Sequence, residues 1–146
     1  MTTALICGGR DLDPADPRWF AALDAVNAAH GPFTYVIQGY ARGADQIALA
    51  WATARGIPHS GDRYAVTPED WRTWGKFAGP RRNGLMLARG KPNLVVTLPG
   101  GTGTADMMRR AREAGVEVVE VSLAMPASAG TLISGSWSNP HPREKK

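Results

Sequence analysis

At 146 residues, 43% of them apolar and five of them tryptophan, the chain has the size and composition of one globular domain, not of a disordered segment. Such a length buries roughly 68–70% of its unfolded surface without staples, and the single Cys7 excludes an internal disulfide and a cysteine-based zinc site. The formal charge of +4 suits an anionic small molecule as well as a nucleic acid. No stretch approaches the ~20 apolar residues of a membrane span, and MTTALICGGRD lacks a charged leader, so a cytoplasmic protein with no membrane partner is expected.

In chain order, apolar runs rich in branched residues predict strands at Ala4–Cys7, Tyr35–Ile37, more weakly near Ile57–Tyr64, then Leu94–Leu98 and Val116–Val121. Continuous apolar runs suit a parallel sheet covered on both faces. Between them, Pro14–Ala29 predicts a helix capped by Asp13 or Asp16, with Trp19, Phe20, Leu23 and Val26 on one face. A second runs over Ala44–Arg55 and ends at Gly56. Thr67-Pro68-Glu69-Asp70 reads as a third start, interrupted near Gly79-Pro80, with a further helix over Arg81–Ala88 and a last one from Thr104 to Gly115. Residues 1–122 form the expected domain. The Ser/Pro/Gly-rich stretch 123–146 predicts a loosely structured tail, in which Thr131–Trp137 adds a short strand. The fold class is α/β, a doubly wound parallel sheet of about five strands.

The placement of the glycines carries the functional signal. Gly8-Gly9-Arg10 follows the first strand, Gly39-Tyr40-Ala41-Arg42-Gly43-Ala44-Asp45 the second, and Pro99-Gly100-Gly101-Thr102-Gly103-Thr104 the fourth. In a parallel sheet all three turns lie on the carboxyl edge, where open α/β sheets bind ligands. Glycine lets backbone amides approach a ligand closely, and helix N-termini add donors and partial positive charge. Three such turns, two of them carrying Arg10 and Arg42, point to a phosphate. A fourth segment, Trp71 to Asn83, mixes cations with aromatics: Lys76 and Arg82 are expected to face phosphate and Asn83 a ribose or base. At least one of Trp71 and Trp74 reads as a packing residue. The run Arg109-Arg110-Ala111-Arg112 reads as a solvated helix face, with Arg110 away from the phosphate.

Several chemistries are disfavoured. There is no GxxxxGK[ST], and Gly101-Thr102-Gly103 begins a GxGxxG whose third glycine is replaced by Asp106. His30, His59 and His141 have no metal-ligand spacing, and no GxSxG elbow occurs. Neither a metal nor a cofactor is expected.

Gly8-Gly9-Arg10-Asp11, Ala41-Arg42-Gly43-Ala44-Asp45, Gly75-Lys76 with Ala78-Gly79-Pro80 and Arg82-Asn83, and PGGTGTADM together resemble the YspA-type, cpYpsA-related branch of the SLOG superfamily over residues 4–121. The resemblance implies a Rossmann-like sheet of order 3-2-1-4-5 and a pocket for nucleotides or nucleotide-derived ligands. Superfamily members similar in the PGG turn include sensors of ADP-ribose-related signals, the Lonely guy phosphoribohydrolases and the single-stranded DNA binders DprA/Smf. The phosphoribohydrolases carry PGGxGTxxE; here Met107 stands where that glutamate would be, while Arg82 matches their arginine. Tyr40 replaces a glycine usual before Ala-Arg-Gly, and would narrow the pocket or offer a ring for stacking. The leading expectation is binding or sensing of a phosphorylated, nucleotide-derived small molecule. Behind it stand a hydrolase of an N-glycosidic or phosphate bond using Asp11, Asp45 or Asp106, and a DprA-like single-strand binder with nucleic acid as its partner. A homodimer is compatible with the sequence, which does not require one.

Overall fold

The computed structural model describes residues 1–123 and the strand at 131–133. Most of the tail expected at 123–146, including Trp137, lies outside the described residues. Five strands, β1 (Thr2–Cys7), β2 (Phe33–Ile37), β3 (Leu94–Thr97), β4 (Glu117–Ser122) and β5 (Thr131–Ile133), form one sheet in the order β2-β1-β3-β4-β5. The first four are mutually parallel, and β5 pairs antiparallel with β4 at the edge. Among the described residues five α-helices accompany them: α1 (Arg18–His30), α2 (Ala44–Ala54), α3 (Pro68–Trp74), α4 (Ala78–Gly90) and α5 (Thr102–Glu113).

Alternate strand residues feed two cores, as the pleat requires. Ala4, Ile6, Val36 and Val96 meet Leu23 and Val26 of α1 and Ile47 and Trp51 of α2 on one face. Leu5, Ile37, Val95 and Val118 meet Met86 of α4 and Met107 and Ala111 of α5 on the other. Helices on both faces make the sheet doubly wound. The chain leaves β1 toward β2, then returns through α4 to β3 on the other side of β1, so strand order reverses between β1 and β3. Ligands of open α/β sheets bind at such a switch point. No helix among the described residues is long and apolar enough to cross a membrane.

Three expectations need correction. The strand foreseen at Ile57–Tyr64 is a single parallel bridge between Val36 and His59, held by Val36 N to Pro58 O (3.0 Å) and Ser60 N to Val36 O (3.0 Å). Pro58 supplies no donor to extend it, and the chain turns away at Gly61, whose carbonyl accepts from the Gln38 amide at 2.7 Å. The implied order 3-2-1-4-5 therefore lacks its first member and gains β5 at the far edge. Gly79-Pro80 does not interrupt a helix. The break is the 3₁₀ turn Gly75–Phe77, and Pro80 sits in the first turn of α4, where its missing N–H costs nothing. Helix α1 begins at Arg18, not near Pro14, and Asp16 accepts from the Arg18 amide and guanidinium. The Thr67 start stands: Thr67 Oγ1 accepts from Asp70 N at 3.0 Å and Asp70 Oδ2 from Thr67 N at 2.9 Å, a closed capping box.

The three glycine turns are sewn together through one residue. Gly9 N donates to Pro99 O at 2.7 Å, and Gly9 O accepts from Ala44 N at 2.9 Å. Gly43, at φ 77°, leads into α2 beside this point, and a Cβ there would run into the Gly9 carbonyl oxygen. Gly56 has a similar φ of 70° but nothing within 4 Å of a built Cβ. Gly56→Ala should therefore cost only the left-handed strain, about 1–2 kcal/mol. Gly43→Ala should cost at least ~2 kcal/mol more, because the Ala44–Gly9 bond must break. Urea denaturation of both variants checks this, and equal losses would contradict the interlock.

Candidate functional site

At the switch point the turns open into a cleft of about 350 Å³, near the lower end of the roughly 300–1,000 Å³ range of ligand sites. One wall is Gly8, Gly9 and Arg10 after β1. A second is Gly101–Thr104, the start of α5. The third comes from Trp71, Lys76 and the first two turns of α4, including Arg82 and Asn83. Cys7 forms part of the floor; burial pushes its thiol well above the ordinary range, so it behaves as a small hydrophobe.

The start of α5 is built to receive an anion. It has no side-chain cap and no acidic residue in its first turn, and a Cβ on Gly100 would meet the Thr104 hydroxyl. Backbone amides at such an uncapped end are unmatched donors in a positive local field.

Arg82 is the most constrained cation of the site. Its Nη1 donates to Gly39 O at 2.7 Å, while its buried Nε has no hydrogen-bond partner among the described residues. Desolvation pulls its guanidinium below the ordinary value, with Asp45 opposing and Arg10 adding to the shift. Gly39 is glycine because a Cβ there would meet the Arg82 guanidinium. Asp45, buried in the first turn of α2, accepts from Ala41 N at 3.1 Å and thereby folds the 39–43 turn onto the helix start.

Not every expected residue lines the cleft. Gly39, Gly43, Pro99 and Gly100 frame it from behind. Tyr40 holds φ 64° because its amide donates to Gln38 Oε1; its ring is 45% exposed and outside the cleft, so it neither narrows nor stacks there. Arg42 also turns away, donating from Nε to Arg10 O at 3.3 Å and lying 3.6 Å from Asp11. Asn83 lines the cleft, but its Nδ2 is committed to Gly103 O (3.2 Å) and Asp106 Oδ2 (3.1 Å), fixing α4 against α5. Asp106 also accepts from Arg110 (2.8 Å) and Arg109 (2.9 Å). Burial raises its carboxyl, yet these hydrogen bonds outweigh it and hold the group below its ordinary value. Arg110 is thereby kept off the cleft.

Sequence reasoning missed the role of Trp71. It was expected with Trp74 as a candidate packing residue, but the two rings are 44% and 43% exposed and Trp71 lines the cleft. The signal was present in their spacing of three on a helix whose other residues, Pro68 apart, are polar. Gln38, fully buried and linking the 39–43 turn to Gly61, was also missed. Among the described residues no group of three His, Cys, Asp or Glu side chains could hold a metal ion.

Asp45 gives the site a pH signature. Burial raises its carboxyl above the ordinary 3.8, against hydrogen bonds from Ala41 and Gly39 and the charges of Arg82 and Arg10. A folded value above the unfolded one means that the native state binds the proton more tightly, so this group's contribution to stability falls as pH rises through that interval. Asp45→Asn, which keeps an acceptor for Ala41, should thus gain on the parent as pH rises from the ordinary carboxyl value of 3.8. Thermal melts of both proteins upward from that pH check the sign; a parent that gains on the variant instead would mean the two arginines dominate.

A profile of the YspA, cpYpsA-related SLOG family matches residues 2–73, which span the Gly8–Arg10 and Gly39–Asp45 turns. The gene 61 protein of Mycobacterium phage D29 is 36% identical over 126 residues, covering 82% of this chain and 95% of that protein. Among solved structures, glycinamide ribonucleotide transformylase 1 from Symbiobacterium toebii is similar at 15% identity and a TM-score of 0.37. That match covers 83% of this chain and spans about half, 51%, of the other. Family membership suggests nucleotide-related ligand binding or processing. With its motifs on one sheet edge, the chain belongs to the YspA, cpYpsA-related SLOG family.

Proposed function

We propose that the protein binds, and in doing so senses, a phosphorylated nucleotide-derived small molecule, an AMP-like or ADP-ribose-like ligand, in the switch-point cleft. The observation that carries this reading is the meeting of an uncapped α5 N-terminus with Arg82, whose buried Nε has no partner among the described residues. Lys76 and Arg10 line the same space, and neither is within 4.0 Å of a carboxylate among the described residues. The phosphate sits against the Gly101–Thr104 amides and Arg82, and the base lies toward Trp71.

Binding without cleavage is the form of the function we favour. Met107, at the position of the phosphoribohydrolase glutamate, is fully buried with Leu5, Val95 and Val118 and lies in the core behind the cleft. Asp11 is exposed and Asp106 is bound by three neighbours, so Asp45 is the carboxylate left facing the cleft among the described residues. A hydrolase reading would rest on Asp45 alone. Chromatography of AMP incubated with the protein should show no enzyme-dependent adenine; adenine that disappears in Asp45→Asn would reverse this choice.

Thermal shift tests the binding itself. AMP or ADP-ribose at a hundred times its Kd should add about 2.7 kcal/mol, a rise of roughly 5–10 °C for a domain of this size. Adenosine, lacking the phosphate, should give far less. Arg82→Gln should weaken AMP by ten- to a hundredfold, the worth of one charge-assisted hydrogen bond at ~1.5–3 kcal/mol. Arg112→Gln, on the exposed side of α5 and paired with Glu120, should change binding less than twofold. Equal stabilisation by adenosine and AMP, or equal losses in the two variants by calorimetry, would refute the phosphate site.

A further inference from the structure

Eleven of the twelve arginines among the described residues divide into two sets; the twelfth, exposed Arg72 of α3, has no carboxylate partner among the described residues and lines neither cleft. Arg18, Arg42, Arg55, Arg109, Arg110 and Arg112 each lie within 4.0 Å of an aspartate or glutamate, and none lines a cleft. Arg10, Arg63, Arg81, Arg82 and Arg89 have no carboxylate partner among the described residues, and every one lines a cleft. Arg10 and Arg82 face the site described above. Arg63, Arg81 and Arg89 line a second cleft of about 290 Å³ between the 63–66 turn and α4. Arg82 lines both, so the two spaces adjoin across its side chain. The single acid of the second cleft, Asp70, is occupied by the Thr67 capping box.

Each cleft also has one half-exposed tryptophan. Trp71 belongs to the first and Trp74 to the second, one helical turn apart on α3, and Arg81 lies over the Trp74 ring at 4.7 Å. Exposed indoles cost hydrophobic stabilisation, and guanidinium groups without counter-ions repel one another. An aromatic platform beside unpaired arginines is the chemistry that takes a base and its phosphate. Here that unit occurs twice, side by side, with one arginine between.

We propose that the second cleft is a second nucleotide subsite, so that the ligand is a dinucleotide: two nucleosides joined through one or two phosphates. One base lies against Trp71 and the other against Trp74, with Arg82 at the linking phosphate and Arg63 and Arg89 on the outer unit. This rests on the nucleotide-binding reading of the first cleft. A long single strand fits less well, because little positive charge continues as a track: of the arginines beyond the two clefts among the described residues, Arg72 alone is unpaired, while Arg18 of α1, Arg55 after α2 and Arg109 and Arg112 of α5 are paired with acids.

Calorimetry at one fixed salt concentration tests this with four probes: AMP, the 5′-phosphorylated diadenylate pApA, diadenosine diphosphate, and an octa-adenylate. In the parent, pApA or diadenosine diphosphate should bind at least tenfold tighter than AMP, and which of the two gains more identifies the linker. In Arg63→Gln/Arg89→Gln that gain should be lost, while AMP binding and the melting temperature of the free protein stay unchanged. Trp74→Ala should weaken the dinucleotide at least fivefold and AMP by less than twofold. If AMP binds but neither dinucleotide binds more tightly, the second subsite is wrong and the first cleft stands. If no probe binds, both readings fall. Equal loss of AMP and dinucleotide in the double variant overturns the subsite in favour of diffuse charge. An octa-adenylate that binds tighter than either dinucleotide, with a steeper salt dependence, overturns it in favour of single-stranded nucleic acid.

Discussion

Two backbone hydrogen bonds at Gly9 hold the functional edge together. Its N–H donates to Pro99 O and its carbonyl accepts from Ala44 N, so a single residue joins the loops after β1, β2 and β3. Those bonds are short only because nothing intervenes. A Cβ on Gly8 would lie 2.8 Å from Ala44 Cβ and 2.9 Å from Leu98 Cβ, and one on Gly9 would lie 2.8 Å from Pro99 O. The glycines are thus demanded first by loop-to-loop contact and only then by ligand approach. Preorganisation follows: the amides that would meet an anion are held before it arrives, which lowers the entropic cost of binding.

Charge is distributed on the same logic. Surface arginines away from the clefts, Arg72 excepted, are paired with nearby acids among the described residues; such pairs contribute little stability each but leave most of the unpaired guanidinium groups at the clefts. Within the first cleft, Asp45 and Arg82 are both partly desolvated and influence each other, yet Asp45 is spent on the 39–43 turn and Arg82 on Gly39. The site therefore carries a buried arginine nitrogen that no acceptor among the described residues compensates. Such a group has an energetic reason to accept an anion.

The sheet and its turns were legible in the sequence because their causes are local. Apolar runs mark β1, β2, β3 and β4, and each of the first three is followed within three residues by glycine; Thr67-Pro68-Glu69-Asp70 contains its own cap. What could not be read depends on partners distant in sequence. Nothing near Asn83 announces that its amide is taken by Gly103 and Asp106, twenty and twenty-three residues away. Nothing near Ile57 announces that Pro58 and Gly61 reduce a strand to one bridge. Gly79-Pro80 was misjudged because proline breaks a helix interior but suits its first turn, and only the position of α4 decides which applies. At Tyr40 the partner is near in sequence, but residue type alone does not declare the bond: the left-handed backbone accompanies an amide hydrogen bond to buried Gln38, and the ring lies outside the cleft.

The central claim is that the Gly9-linked turns and Arg82 form one anion site. Titration of ¹⁵N-labelled protein with AMP, followed by amide and arginine Nε resonances, tests it most directly. The account predicts concerted shifts, with one shared Kd, of the Gly9, Thr102, Gly103 and Thr104 amides and the Arg82 Nε–H, while the Arg18 and Arg55 Nε–H signals stay fixed. Shifts confined to the exposed arginines, or separate Kd values for the Gly9 and α5 amides, would contradict it.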